Sequence, residues 1–452
     1  MPVDGALVLP ESVTKLLVLL ETAGFQAYAV GGCVRDALLG KTPEDWDLCT
    51  SAQPEQVAAA LKGIPVLETG LRHGTVTALL RQKPFEITTF RLDGAYTDRR
   101  RPDSVTFTDD LTTDLSRRDF TVNAMAYHPT KGLKDPFGGA GDLRAGIIRC
   151  VGAPARRFEE DALRVLRCLR FASTLDFSIE ENTAAQVRLQ RETLRFVAAE
   201  RVQKELAKLL CGPSARRILL EYRDVVFTLL PRLRPLSGFD QRTPWHCYDI
   251  WEHSCAALEA VPPEPALRWA ALLHDCGKPD CFFWRDGVGH FHGHPAVSER
   301  MAREMLSGLK CSRQFIEHVA LLVKHHELRL LDEPQKPARL KRLLGELGEE
   351  RLLELLELMR ADVLAQAPEK RWRLERYDAL REEIAALARE NSCVTRKQLA
   401  VGGNDLLPLG LRGPQLGRML NRLLEEVVEG RLENRRECLL DWARRSASQT
   451  EE

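Results

Sequence analysis

The sequence predicts an α+β segment of about 150 residues at the front of a chain that is otherwise all helix. Short β-branched or alternating runs crowd the front: AYAV at 27–30, DWDL at 45–48, GTVTALL at 74–80 and FEITTF at 85–90. From about residue 155 the apolar spacing becomes helical, as in ALRVLRCLRFA, VQKELAKLL, LRWAALL and RLLELLELM, with few strand candidates left. A chain of 452 residues with 44% hydrophobic content exceeds what one core usually organises, so several packed units are expected. Gly/Pro-rich joints near 135–142 (DPFGGAGD), 234–244 (RPLSGFDQRTP) and 366–371 (QAPEKR) divide it into segments 1–150, 151–235, 236–370 and 371–452.

Lys plus Arg (65) equals Asp plus Glu (65), so any nucleic-acid contact must come from local basic patches rather than from an overall field. The 12 cysteines form no C-x-x-C pair, which argues against a zinc ribbon or a disulfide scaffold and for reduced thiols. The opening MPVDGALVLPESV lacks the basic-then-apolar order of a signal peptide, and no apolar run nears the ~18 residues of a membrane span. A soluble, cytoplasmic protein with no membrane partner is expected.

In chain order, residues 11–23 read as a helix closed by Gly24. Gly31-Gly32-Cys33-Val34-Arg35-Asp36 then lies between the AYAV strand and the DALLG helix. Glycines there let backbone N–H groups and a helix N-terminus approach a triphosphate, with Arg35 as a fixed cation. Asp45 and Asp47 follow at i and i+2 at the start of a strand, so both carboxylates share a face while Trp46 packs behind. Paired carboxylates are natural Mg²⁺ ligands, and two such ions about 4 Å apart suit an in-line displacement at phosphorus. Glu86, in FEITTF, either adds a third carboxylate or sits exposed on its strand.

Arg117-Arg118-Asp119-Phe120-Thr121-Val122-Asn123-Ala124-Met125 reads locally as the basic start of a helix, and its Arg118, Asp119 and Asn123 suit phosphate and ribose contacts. Farther on, Asp161, Arg164 and Arg167 are expected on one face of one helix, at i, i+3 and i+6. Cytosine and adenine each present an amine donor beside a ring-nitrogen acceptor, whereas uracil and guanine present a carbonyl beside an N–H. An accepting Asp161 with a donating Arg164 fits the first pair; a surface ion pair is the plainer reading.

Together, GGCVRDALLG, DWDL, RRDFTVNAM, DPFGG and RRFEEDALRVLRCLRFA, in this order, resemble the motif series of the class II tRNA nucleotidyltransferases and bacterial poly(A) polymerases. The likeness is strong over about the first 210 residues and looser beyond. It implies a polymerase-beta-like nucleotidyltransferase head, with a small mixed sheet plus helices, followed by an all-α neck, body and tail. It implies transfer of CMP and AMP from CTP and ATP to the 3′ end of tRNA, with Mg²⁺ on Asp45 and Asp47 and with Glu86 as a third catalytic carboxylate. Gly31, Gly32, Arg35, Arg118, Asp119, Asn123, Asp161, Arg164 and Arg167 would hold the nucleotide. Poly(A) or A-only addition is the alternative within the family; an RNA-binding phosphohydrolase with an inactive head is the alternative outside it. Arg91–Pro102 (RLDGAYTDRRRP) resembles the family's flexible loop for the terminal A step, or is a solvated charge run, and Asp135–Gly139 resembles the family's hinge, or is a plain glycine turn.

Nine of the 11 histidines fall between His246 and His326, which marks this stretch as a domain of its own. His274-Asp275 ends the apolar helix RWAALL, and with His253 and Asp362 it resembles the H…HD…D pattern of HD-type metal phosphohydrolases. His294 and His325 are the candidates to extend it to a second ion. The resemblance implies a second divalent metal (Mg²⁺, Mn²⁺, Ni²⁺ or Co²⁺) and hydrolysis of phosphate esters; a scaffold of hydrogen-bonded buried histidines is the other reading. In the tail, GGNDLLPLGLRGPQLGRMLNRLL resembles the family's C-terminal stretch, with Arg412, Arg418 and Arg422 as candidates for tRNA phosphate contacts.

Overall fold

A computed structural model describes residues 7–94, 104–328, 330, 337–389 and 394–448. The chain forms two compact units, the first running to Arg234 with Gly308–Cys311, the second comprising Pro235–Ser307 and the chain from Ser312 onward. Gly308–Cys311 of the stretch expected over 236–370 thus belong to the first unit, and Pro235 of the stretch expected over 151–235 to the second. Arg99, Arg100 and Arg101 of the loop expected over Arg91–Pro102 lie outside the described residues.

In the first unit, helix Glu11–Thr22 buries Val13, Leu16, Leu17 and Leu20, the apolar stripe that its spacing dictates. The strands are β1 Ala27–Val30, β2 Leu48–Thr50, β3 Val66–Gly70, β4 Thr75–Leu80, β5 Lys83–Thr89, β6 Arg91–Asp93, β7 Val105–Phe107, β8 Ala126–His128 and β9 Gly132–Lys134. Seven of them form one mixed sheet in the order β3-β4-β5-β2-β1-β8-β9. Within it β2 and β5 run parallel, and the other neighbours run antiparallel. β1 is buried at every position because it is central and covered on both faces. β6 and β7 pair separately.

Arg117-Arg118 follows a helix instead of starting one. Helix Leu111–Ser116 is capped by Asp110, whose side chain accepts from the backbone of Thr112 and Thr113, and it is over before the arginines begin. The next residues turn extended because Phe120, fully buried, bridges to Cys150. Beyond β10 (Ile147–Ile148), helices Pro154–Glu160, Leu163–Leu175 and Ala199–Leu210 build the neck, with β11 (Ser178–Ile179) pairing parallel to β10.

In the second unit, helices Ile250–Ala260, Pro265–Leu273, Arg313–His325 and Glu349–Leu364 pack together and bury Trp251 and Trp269 completely. β12 (Phe283–Arg285) and β13 (Val288–His290) form a small antiparallel pair. The tail helices Pro414–Val428 and Arg436–Ser448 close over Leu406, Met419, Leu423, Leu439 and Ala443, and Arg422 lies 5.2 Å from the Trp442 ring centre. Among the described residues no helix is long and apolar enough to cross a membrane. Cys33, Cys49, Cys150 and Cys168 are buried, and burial pushes the thiols of Cys33 and Cys150 up to about 11 and about 12. Among the described cysteines Cys247 is the exposed one.

Candidate functional site

The acidic cluster is set by strand register. Asp45 and Asp47 lie in the extended segment entering β2, one step short of the strand, and both are exposed while Trp46 between them is buried. The ladder already includes Asp47, since Val30 N–H donates to the Asp47 carbonyl at 3.0 Å. Leu48 pairs with Ile87 of β5, so the preceding residues, Asp47 and Glu86, come to the same face of adjacent strands. Although the residue as a whole is exposed, partial desolvation of the Asp47 carboxyl and the negative charges of Glu86 and Asp45 raise its pKa, with Arg118 pulling the other way. Asp45 and Glu86 both act electrostatically on Asp47, and a divalent cation would relieve that repulsion.

Beside them the glycine turn packs on a guanidinium. Gly31 has φ 84°, a left-handed conformation, and a Cβ built there would lie 2.7 Å from Arg118 Nη1. The Arg118 Nε is buried with no hydrogen-bond partner, and among the described residues no carboxylate is within ion-pair reach of this side chain. Arg118 is thus a half-buried cation, close to both the glycine turn and Asp47, with no carboxylate partner among the described residues. Helix Gly32–Leu38 begins at this turn, so its free N–H groups face the same side.

Arg35, Asn123, Asp119 and Arg167 form one continuous chain. Arg35 Nη1 donates to Asn123 Oδ1 at 2.6 Å, Asn123 Nδ2 donates to Asp119 Oδ1 at 3.1 Å, and Arg167 Nε donates to Asp119 Oδ2 at 2.8 Å. Burial alone would raise the Asp119 pKa; Arg167 and these donors outweigh it and hold the carboxyl well below its usual range. Asp135 accepts from Gly139 N and Ala140 N at 2.7 and 2.8 Å, and a Cβ on Gly139 would meet the Thr121 carbonyl at 2.2 Å. The DPFGG stretch is therefore a clamped turn pressed against the Asp119–Asn123 segment.

Asp161 departs from expectation. It is the C-cap of helix Pro154–Glu160, extended at φ −140°, and helix Leu163–Leu175 starts after it, so Asp161, Arg164 and Arg167 do not line one face of one helix. Its carboxylate accepts from Leu163 N at 3.1 Å, as an N-cap does, and from Arg201 Nη2 at 2.7 Å. Arg164 instead pairs with Glu160 at 2.8 Å and donates to the carbonyls of Arg157 and Arg117 at 3.1 and 2.9 Å. Asp161 and Arg164 are thus held separately at one helix junction, and Arg164 reaches the backbone next to Arg118. A cavity of about 380 Å³ abuts this junction, lined by Arg117, Phe137, Arg156, Arg157 and Glu160. Arg201 and Glu160 were not singled out from sequence; Arg201 lies 40 residues from Asp161, and no local pattern marks so distant a partner.

The second unit holds a separate polar centre. His253, His274 and Asp362 form one triad, and Asp275, His294 and His326 another; in each, the candidate ligand atoms lie within 4.8 Å of one another. Asp275 spans both, with Oδ2 at 3.2 Å from His274 Nε2 and Oδ1 at 3.1 Å from His294 Nε2. His326, the C-cap of helix Arg313–His325, takes the place expected for His325, because the two side chains leave the helix end about 100° apart and only His326 turns into the core.

All four imidazoles turn Nδ1 to a carbonyl: His253 to Ala365 at 3.3 Å, His274 to Ala271 at 2.8 Å, His294 to Phe291 at 3.0 Å and His326 to Val323 at 2.7 Å. A carbonyl only accepts, so Nδ1 carries the proton and each Nε2 presents its lone pair inward. Those lone pairs meet at 3.3 Å between His253 and His274 and at 3.2 Å between His294 and His326. Opposed acceptors beside the buried Asp275 and the partly exposed Asp362 call for cations, and this donor set suits divalent metals.

Residues 27–149 match the model of the poly A polymerase head domain, 176–232 that of the RNA and SrmB binding site of polymerase A, and 294–443 that of tRNA nucleotidyltransferase domain 2. The chain is 34% identical to the CCA-adding enzyme of Enterococcus faecalis over 96% of its own length and 95% of the relative's. It is 36% identical to that of Levilactobacillus brevis over 95% and 96%. The crystal structure of the Bacillus stearothermophilus CCA-adding enzyme in complex with CTP superposes with a TM-score of 0.72, at 31% identity, over 97% of each chain.

Proposed function

Because the chain belongs to the family of CCA-adding tRNA nucleotidyltransferases, we propose that its glycine turn, Arg118 and the Asp45–Asp47–Glu86 cluster seat the triphosphate and reacting ends of that transfer. The enzyme adds CMP and AMP from CTP and ATP to the 3′ end of tRNA. The carrying observation is Arg118, with no carboxylate partner among the described residues, packed on a left-handed Gly31 and within electrostatic reach of Asp47, which Glu86 and Asp45 also act on. Divalent cations bound there supply activation of the tRNA 3′-hydroxyl and neutralisation of the departing pyrophosphate. The chain itself contributes the anion seat: Arg118 and the N–H groups of helix Gly32–Leu38 for phosphate oxygens, and the Arg35–Asn123–Asp119–Arg167 chain to hold that seat against the neck. Asp161 and Arg164, at the helix junction, read the base edge as acceptor and donor, with Arg201 positioning Asp161.

The deciding experiment offers tRNA lacking its terminal CCA, tRNA ending in CC, and a generic oligo(A), each with labelled CTP, ATP or UTP. Wild type completes both tRNAs and leaves oligo(A) unextended; long A-tails on oligo(A) would instead mark a poly(A) polymerase. Asp47→Ala loses incorporation on all substrates, and undiminished incorporation would remove Asp47 from the site.

The converging Nε2 lone pairs of the second unit favour a second reading, that the two triads would hold divalent cations, with Asp275 presenting one oxygen toward each triad. Metal analysis of the purified chain tests it: His274→Ala and Asp275→Asn should lower bound metal, and a metal-free wild type that takes up no Mn²⁺ rejects it.

A further inference from the structure

Phe171, on helix Leu163–Leu175, is 4% exposed and reads as ordinary core in the apolar period of LRVLRCLRFA. Its surroundings are not those of ordinary core. Three guanidiniums lie over its ring: Arg170 at 3.5 Å from the ring centre, Arg35 at 5.1 Å and Arg167 at 5.4 Å. All three are inside the ~6 Å over which an aromatic face attracts a positive charge, and a ring has two faces, so at least two of them share one. The rings of Phe120 and Phe171 meet at 77°, edge to face, with centres 5.7 Å apart.

Carboxylates hold the edges of the same three groups. Arg35 pairs with Asp36 at 2.8 Å, Arg167 donates through Nε to Asp119 at 2.8 Å, and Arg170 Nε lies 2.6 Å from Glu205, which also stands 3.7 Å from Arg167 Nη1. The donors of a guanidinium lie in its plane, so a carboxylate at the edge fixes one direction and leaves the plane to tilt about it. A ring against the flat side removes that tilt. The three cations also crowd one another. Burial, and the charges of Arg167 and Arg35, pull the Arg170 pKa below its usual range, against the opposite pull of Glu205 and Asp119. The electron-rich faces of Phe171 offset part of this repulsion without adding a full negative charge, which would repel a triphosphate.

Two of these cations reach the segment that carries Arg118: Arg35 donates to Asn123 and Arg167 to Asp119. We propose that Phe171 is a positioning residue for nucleotide binding, setting the planes of Arg35, Arg167 and Arg170 by cation–π contact and, through the first two, the placement of Arg118. The proposal rests on the assignment of the triphosphate to the glycine turn and Arg118.

The test places mono-, di- and trifluorophenylalanine at position 171 of the full-length chain and measures CMP incorporation into tRNA lacking its terminal CCA. Ring fluorines withdraw electron density from the faces at nearly constant shape, so KM for CTP should rise with fluorine number, to about tenfold at three, while kcat changes less than about twofold. Phe171→Leu, which fills the core without a π face, should raise KM at least as far. The preference for CTP over UTP should hold through the series, because Asp161 and Arg164 lie outside these contacts. A KM that is flat across the fluorinated set is the signature of plain core packing and overturns the proposal, whatever Phe171→Leu does to the melting temperature. A loss confined to kcat overturns it too. A wild type that incorporates no CMP overturns the triphosphate assignment and the positioning role with it.

Discussion

Asp47 is the side chain on which most of the site's electrostatics converge. Its folded-state pKa is raised by desolvation of the carboxyl and by Glu86 and Asp45, so the metal-free fold holds a proton on Asp47 more readily than the unfolded chain does. The stabilisation this gives is fully present below the unfolded value near 3.9 and is lost as pH rises through the folded value. Asp47→Asn should therefore melt higher than metal-free wild type at pH 8 and no higher at pH 3, while Mg²⁺, which shifts wild type upward at pH 8, leaves the variant unmoved. Differential scanning calorimetry at the two pH values checks this, and nucleotide incorporation by the variant should fall on the order of 10²–10³-fold. Gly31→Ala should fail for a different cause. Its added carbon would collide with Arg118 in a backbone conformation that alanine resists, so KM for CTP and ATP should rise at least tenfold with metal affinity intact.

At the level of elements, the helix junction at Asp161 governs selectivity. Removing either half of the base-reading pair, by Asp161→Ala or Arg164→Gln, should lower kcat/KM for CTP and ATP by about ten- to a hundredfold, the cost of one or two unmet hydrogen bonds in an enclosed site. UTP and GTP incorporation should rise relative to CTP in a competition assay, and an unchanged preference would reject the pair. This junction was also the least legible element in the sequence. The apolar period runs through FEEDALRVLRCLRFA unbroken, and only the tertiary pull of Arg201 and the capping of Leu163 N make the chain extend at one residue. The strands AYAV, GTVTALL and FEITTF were readable because alternation and β-branching suffice for buried strands. Asp45 and Asp47 could be read as a pair because positions i and i+2 of an extended segment share a face, whereas the β2–β5 register that brings Glu86 beside Asp47 has no local signal, and Glu86 is also exposed on its strand. His326 in place of His325 was not, since the two neighbours differ only in which way the last helical turn is rotated.

Over the whole molecule, equal numbers of acidic and basic side chains leave tRNA binding to local charge. Arg412 and Arg418 are the tail arginines proposed to meet tRNA phosphates, whereas Arg422 is engaged with Trp442. Replacing both Arg412 and Arg418 by Ala should reduce the slope of log K against log salt for tRNA binding by about two, with kcat unaltered at saturating tRNA. An unchanged slope would move the phosphate contacts elsewhere. The distribution of sulfur has a practical corollary. The thiols of Cys33, Cys49, Cys150 and Cys168 are enclosed and held protonated, so they present no nucleophile to alkylating reagents at neutral pH. Of the described thiols Cys247, out in solvent, should take up a maleimide fluorophore first, with turnover preserved.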